Sequence, residues 1–421
     1  MTETLRLDRQ LRIPSWRQEP LSRARLGVVG EADPLTTFYL VAAAALGINE
    51  VVVVAPALEE RYLALARSLN PSWQLIHLPG YLSQPVVLEL LHTCTLWVNL
   101  SQYRLADKIL LTAAQRQKRP LLRARLIYDP GYGYGWRIFS YLPGREWEEL
   151  EAVLAPTDLP DSAPLSDGVL AIIAAGIILE ETKNILWGQS PTAELLSFLQ
   201  PEPPVPVSGR VAIVGAGALG NFVALGLLLV GAVDLTIIDP DVVEPTNLNR
   251  QILFGGAVGQ PKAPALAAAL NRLGAKAAVG KVAAFTDQTE VAEFDLVFDG
   301  VDNFASRLAL SRRCQAAGVP LVSGGTDFAR GQVVYYHPRY QPQAVADLLD
   351  LERLAAMEAP ADRRRAACIY QPEPAVIMTN QIIGGFMVEV GRRLLTGRPG
   401  FQVFYDATAP QRYEVIPWEP R

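Results

Sequence analysis

Gly215, Gly217 and Gly220 follow the apolar run Val211–Val214, and Asp239 closes a second apolar run beyond a helix-like segment. That order is the strand–turn–helix–strand unit of nucleotide-binding folds. Gly215 and Gly217 let backbone N–H groups approach a phosphate, and a helix starting near Gly220 aims its positive end at the same place. Asp239 stands about 20 residues on, where a carboxylate accepts from ribose hydroxyls. The glycines alone would also serve a plain tight turn; Asp239 argues for the nucleotide.

Behind Asp239 the chain departs from a simple dinucleotide site. Asp239-x-Asp241 runs into Asn247-Leu-Asn-Arg250-Gln251, and Lys262 follows. Two cations beside a triphosphate offset charge building on a pentavalent phosphorus, so the pattern points to phosphates that react. The competing reading is a solvated arginine and lysine, although Lys262 is one of few lysines in an arginine-rich chain. Asp299-Gly-Val-Asp302-Asn303 follows the apolar run Leu296–Phe298, at the strand end where open α/β sheets bind ligands. A carboxylate there can hold Mg²⁺ bridging phosphate oxygens. Asp302 or Asn303 can equally cap a helix over Ala305–Ala317. Both readings hold if each residue takes one task.

The elements that must position these residues come from a chain of 421 residues, long enough for two domains. Half the residues are hydrophobic, ample for large cores, and a net charge of -5 argues against nucleic acid held by bulk charge. Cys94, Cys314 and Cys368 form no CxxC pair, which leaves a disulfide framework or a four-cysteine zinc site unsupported. The N-terminus lacks a signal-like apolar core, and no apolar run has the length of a membrane span. The expectation is a soluble cytoplasmic protein.

The chain reads as if written twice. Arg25–Gly30 opens a first unit as Arg210–Gly215 opens a second, and each is followed by an apolar helix and a β-branched run. Leu96–Leu100 parallels Leu296–Gly300, Arg119–Leu122 parallels Val319–Val322, and the helix Gly168–Gly188 parallels Asn380–Gly397. Alternating β-branched runs and helices make each copy α/β with a mainly parallel sheet flanked by helices. The expected organisation is two tandem Rossmann-like domains, 1–199 and 208–421, joined by a Pro-rich linker at 200–207. The second would carry a cysteine loop at about 340–378 and a C-terminal β-hairpin. The copies differ where chemistry is done. In Gly30-Glu-Ala-Asp-Pro34 only the first glycine survives, Glu31 and Asp33 would repel phosphate, and no acid follows the strand ending at Val54. The first copy keeps the scaffold and has lost the site.

These motifs, in their order and spacing, resemble the ubiquitin-activating enzyme superfamily with its ThiF- and MoeB-type adenylyltransferases. The match includes Gly259-Gln-Pro-Lys262 and Pro320-Leu-Val-Ser-Gly-Gly325…Gly331-Gln-Val, and it is close over about 210–400. The resemblance implies two ThiF-type domains, the first inactive, and ATP with Mg²⁺ as the groups handled. The partner would be a ubiquitin-like protein whose C-terminal glycine is adenylated. It gives Asp239, with Asp241 of the same motif, to the nucleotide, and Asn247, Arg250, Gln251 and Lys262 to its phosphates. Asp302 would be the magnesium ligand. Leu7-Asp-Arg9-Gln-Leu-Arg12 is similar to the family's opening segment, so Arg9 of the damaged copy would complete the site of the intact one; an exposed amphipathic segment is the alternative. Cys368, beside Arg363–Arg365, would accept the activated carboxylate, its thiolate favoured by the arginines, or is a buried structural cysteine. No zinc is expected, since the family's CxxC pairs are absent, and how a conjugating enzyme would be recruited stays open. The fused copies would form an intramolecular pseudo-dimer, with further dimerisation open. Other readings are adenylation without a thioester, feeding sulfur transfer or peptide modification, and an inactive scaffold.

Overall fold

The computed structural model describes residues 3–129, 131, 133–144, 165–358 and 373–419. Cys368 and the three arginines before it lie outside the described residues. The chain divides into two compact units. One is Arg17–Pro204 with Thr408–Arg412, and the other is Met1–Trp16, Val205–Ala407 and Tyr413–Arg421. This division differs from the contiguous one expected, because the N-terminal segment groups with the second copy.

The unit built mainly from the first half carries a seven-stranded sheet. Its strands are β1 (Arg25–Val29), β2 (Glu50–Ala55), β3 (Gln74–Pro79), β4 (Leu96–Asn99), β5 (Leu121–Asp129), β6 (Gly133–Tyr141) and β7 (Leu196–Gln200). They lie in the order β3-β2-β1-β4-β5-β6-β7, parallel from β3 to β5 and antiparallel beyond. The helices are α1 (Pro34–Leu46), α2 (Glu60–Leu69), α3 (Arg104–Gln117) and α4 (Gly168–Leu186). Every α1 residue after Pro34 is buried, which suits a helix enclosed on all sides rather than a surface one. It starts at Asp33, whose Oδ1 accepts from Thr36 N at 2.9 Å, and ends at Gly47 in the left-handed conformation. One face of the sheet and α3 close a core of Val29, Val54, Trp97, Leu110, Ala114 and Phe139.

The other unit repeats the strand order and adds one strand: β10-β9-β8-β11-β12-β13-β14-β15. Its strands are β8 (Val207–Val214), β9 (Gly231–Ile238), β10 (Ala277–Lys281), β11 (Leu296–Asp299), β12 (Leu321–Thr326), β13 (Arg330–Tyr336), β14 (Phe401–Asp406) and β15 (Tyr413–Pro417). The helices are α5 (Ala218–Val230), α6 (Lys262–Leu273), α7 (Phe304–Ala317) and α8 (Ile377–Leu395). Parallel pairing runs from β10 to β12, and the expected hairpin is the antiparallel pair β14–β15. The repeat extends to buried detail. α4 and α8 each span 19 residues, and each carries an ion pair one turn apart, Glu180–Lys183 and Glu389–Arg392. Two α/β units of one topology are therefore present, as the sequence led us to expect. Gln200 belongs to β7 and Val207 to β8, so the Pro-rich stretch between strands is 201–206. Among the described residues, no helix is long and apolar enough to cross a membrane.

Candidate functional site

In the unit containing β8–β15, the carboxyl ends of β8, β9 and β11 converge. Each glycine of the turn after β8 has a separate reason to be glycine. Gly215 sits at φ 94°, and a Cβ there would stand 2.7 Å from Gly300 backbone atoms. At Gly220 a Cβ would stand 2.0 Å from the Gly215 carbonyl oxygen. Gly217 is different. Its φ of −70° suits any residue, and a Cβ would meet nothing nearer than 4.0 Å. The protein itself does not require glycine there; a ligand approaching the backbone would. Gly217 is also the N-cap of α5 and offers no side-chain cap, so among the described residues the first N–H groups of that helix remain open to an acceptor.

Asp239 lies buried at the end of β9. Its Oδ2 accepts from Ala216 N at 2.6 Å and its Oδ1 from Asp241 N at 2.8 Å. Burial pushes this carboxyl above the usual carboxylate range, while nearby Lys262 and the two N–H groups pull it back. Asp239 thus braces the glycine turn. Each oxygen keeps a second lone pair for a ribose hydroxyl.

Asn247, Arg250 and Gln251 ride on one loop, closed at its base by the ends of its own chain. Lys262 N donates to Asp241 O at 2.8 Å, Val243 and Gly259–Gln260 exchange bonds of 2.9 Å, and Lys262 Nζ pairs with Asp241 Oδ2 at 2.9 Å. Asp241, expected to serve the nucleotide, gives one carboxylate oxygen to Lys262. Asn247 Oδ1 accepts from Glu244 N at 2.9 Å, and its Nδ2 has no partner among the described residues. Gln251 Oε1 is buried with none either. Asn221, on α5, links loop and turn: Nδ2 donates to the carbonyls of Ala216 and Gly217 at 3.1 and 3.0 Å, and Oδ1 accepts from Leu253 N at 3.0 Å.

The Arg250 guanidinium is buried, with Nη1 donating to Thr246 O at 3.0 Å and Asn249 Oδ1 at 2.8 Å. Burial, and then the like charge of Arg9, push it down to about 9 from the usual arginine value. Arg9 lies in the short helix Asp8–Leu11 of the N-terminal segment. Arg9 O accepts from Ala375 N at 3.2 Å, Nη1 donates to Glu373 O at 3.3 Å, and Nε is buried without a partner among the described residues. Two neighbouring cations, one with an orphaned donor, form a place that an anion would relieve.

Asp302 also exerts a field on Arg250. It is exposed and makes no hydrogen bond among the described residues. The capping question resolves in favour of its neighbour, since Asn303 Oδ1 accepts from Ser306 N at 2.8 Å at the start of α7. Beneath this loop is a buried cluster that sequence reading missed. Asp299 Oδ2 accepts from Ser323 Oγ at 2.6 Å and Arg307 Nε at 3.1 Å, while Oδ1 accepts from Val301 N at 3.2 Å. Among the described residues, no cluster of three or more His, Cys, Asp or Glu could hold a metal. A magnesium ion here would rest on Asp302 and on oxygens of the nucleotide itself, an arrangement normal for Mg²⁺. Cys94 and Cys314 are buried, their thiols pushed up to about 11 and about 12, and neither suits nucleophilic work.

The corresponding crevice of the other unit is filled by its own acids. Asp33 caps α1, and Glu31 Oε1 accepts from Ser101 Oγ at 2.6 Å and Gln102 N at 3.2 Å. These carboxylates take one N–H at the start of α1, from Thr36, and one after β4, from Gln102.

The ThiF family model matches residues 207–417. The molybdopterin-synthase adenylyltransferase of Escherichia coli K12 is 42% identical over 132 residues, covering 30% of this chain and 53% of that protein. The SAMP-activating enzyme E1 of Haloferax volcanii is 39% identical over 137 residues, 31% of this chain and 51% of that one. The adenylyltransferase and sulfurtransferase MOCS3 of Sus scrofa is 34% identical over 250 residues, 57% of this chain and 46% of that one. The chain spans about half the length of these relatives. A crystal structure of E. coli MccB with AMPCPP and MccA aligns at 19% identity and a TM-score of 0.40, over 50% of this chain and 64% of that one.

Proposed function

The chain belongs to the ThiF family, and on that premise we propose that it is an ATP-dependent adenylyltransferase acting on the C-terminal glycine of a ubiquitin-like protein. The observation that carries this reading is buried Arg250 held near Arg9, with the carboxylate of Asp302, unpaired among the described residues, acting on the same guanidinium. A dinucleotide oxidoreductase has no use for that set. The open N-terminus of α5 and the free face of Gly217 receive phosphate, and Asp239 accepts from the ribose. Arg9, Asn247, Arg250, Gln251 and Lys262 take the remaining phosphate oxygens. Asp302 would hold Mg²⁺, which when bound spreads charge over the phosphate oxygens.

In the reaction a carboxylate oxygen of the terminal glycine bonds to the α-phosphorus. The bond from that phosphorus to the bridging oxygen breaks, and pyrophosphate leaves with the electron pair. Arg9 and Arg250 stabilise the charge that develops, and the loop's closed base holds Arg250 in place, so positioning and preorganised charge supply the acceleration. In this reading the unit with Glu31 and Asp33 in its crevice is the inactive copy, and the Cys368 thiolate attacks the acyl carbonyl of the adenylate, expelling AMP with the electron pair of the acyl–phosphate bond and leaving a thioester for a later acceptor such as a conjugating enzyme. Supporting the adenylation step, curated relatives are named adenylyltransferases.

The test is pyrophosphate–ATP exchange with glycine-terminated ubiquitin-like proteins encoded near this chain. Exchange should require one of them and vanish with Asp302→Ala. Exchange that survives Asp302→Ala overturns the metal assignment, and a thiol-sensitive adduct that persists in Cys368→Ala removes Cys368 as acceptor.

A further inference from the structure

Asn249 sits among the phosphate-directed residues and is wholly buried. Its amide joins the neighbouring Arg250 to two segments distant in sequence. Nδ2 donates to the Ala375 carbonyl at 3.1 Å and to Gln10 Oε1 at 3.3 Å, and Oδ1 accepts from Arg250 Nη1 at 2.8 Å. Those segments are otherwise joined by Arg9, whose carbonyl takes Ala375 N and whose Nη1 reaches Glu373 O. Among the described residues the Arg250 side chain has only one further hydrogen bond, from Nη1 to Thr246 O. Like charges repel, and a flexible arginine beside another would swing away toward water. Something neutral must hold the two together. An aspartate at 249 would cancel the charge wanted for a phosphate, and a hydroxyl is too short to span from Arg250 to Ala375.

We propose that Asn249 is the positioning residue that keeps Arg250 beside Arg9, its amide seated on Gln10 and Ala375 so that both guanidinium groups face one anion. This rests on the nucleotide reading above and deepens it. Asn249 touches no phosphate. It acts through Arg250, so its removal should be felt by the phosphates and not by the nucleoside.

The experiment compares calorimetric binding of ATP and of adenosine by the full chain in MgCl₂. Asn249→Ala should weaken ATP by about tenfold or more, the scale of losing a hydrogen bond to a charged group. Adenosine should bind as before. In an Arg250→Ala background the further loss from Asn249→Ala should disappear, because the residue through which it acts is gone. Equal losses for ATP and adenosine would make Asn249 a general support of the fold and overturn the proposal. So would a penalty that persists in full without Arg250. Asn249→Ser is read in the same way should the alanine variant not fold. If the unaltered chain binds ATP no better than adenosine, the nucleotide reading itself fails, which is a separate outcome.

Discussion

Gly217 separates what the fold needs from what a ligand needs. Gly215 and Gly220 are demanded by backbone atoms at 2.7 and 2.0 Å from any added Cβ, whereas Gly217 has clear space. Gly217→Ala should therefore leave stability within about 0.5 kcal/mol, as for other substitutions away from packed features. Thermal melting checks that half of the expectation. Titration with ATP checks the other, which should show at least about a tenfold loss as the methyl enters the space of a phosphate. An alanine variant that binds ATP normally would remove the turn from the site. The glycines, Asp239, Arg250 and Lys262 were legible in the sequence because strand ends and turns announce themselves by pattern. Asn249 and Asn221 were not. An amide has no pattern of its own, and the partners of Asn249 stand 239 and 126 residues away. Asp241 was legible as part of a motif, yet its ion pair with Lys262 appears only when the loop closes.

Two equivalent elements carry opposite charge in the two copies. At the end of β11, Asp299 takes Arg307 from α7 and Ser323 from β12. At the end of β4 stands Asn99; the acid is Asp107 on α3, and the arginine is Arg123 on β5. Both arrangements support the same local turn, since Asp299 Oδ1 takes Val301 N and Asn99 Oδ1 takes Ser101 N. Helix starts differ in the same way, with Asp33 capping α1 and Gly217 leaving α5 uncapped. Periodicity announced these helices and strands well, but not which side chains bury a charge at their ends, because that depends on the sheet order. The buried pair yields an energetic expectation. Arg307→Met should cost about 3 kcal/mol or more by stranding Asp299 in the interior, and adding Asp299→Asn should recover part of that loss. Chemical denaturation of the single and double variants reads both. A double variant no more stable than Arg307→Met would mean that Arg307 matters for its packing rather than its charge.

At the scale of the molecule, the duplication seen in the sequence is a duplication of topology, with one strand order used twice and one extra strand. The expected boundaries put Met1–Trp16 in the first domain, yet that segment groups with the second copy, with Arg9 near the loop of Arg250. A repeat boundary read from motif order places that segment with its nearest neighbour in sequence, whereas burial of Arg6, Leu7 and Gln10 decides where it packs. Topology being equal, the number of nucleotide sites depends on the crevices. One has an uncapped helix start and a paired arginine cluster; the other has Glu31 and Asp33 bonded to the N–H groups of Gln102 and Thr36. Anions bind where N–H groups and cations are free, and two carboxylates in the crevice repel a triphosphate. Calorimetric titration of the whole chain with ATP and MgCl₂ should therefore reach a stoichiometry of about one per chain. Deleting residues 3–16 should weaken that one site by about tenfold or more, since Arg9 and the seat of Asn249 leave with the segment. A stoichiometry of two, or a site indifferent to the deletion, would mean that the first copy binds nucleotide after all or that the N-terminal segment serves only as packing.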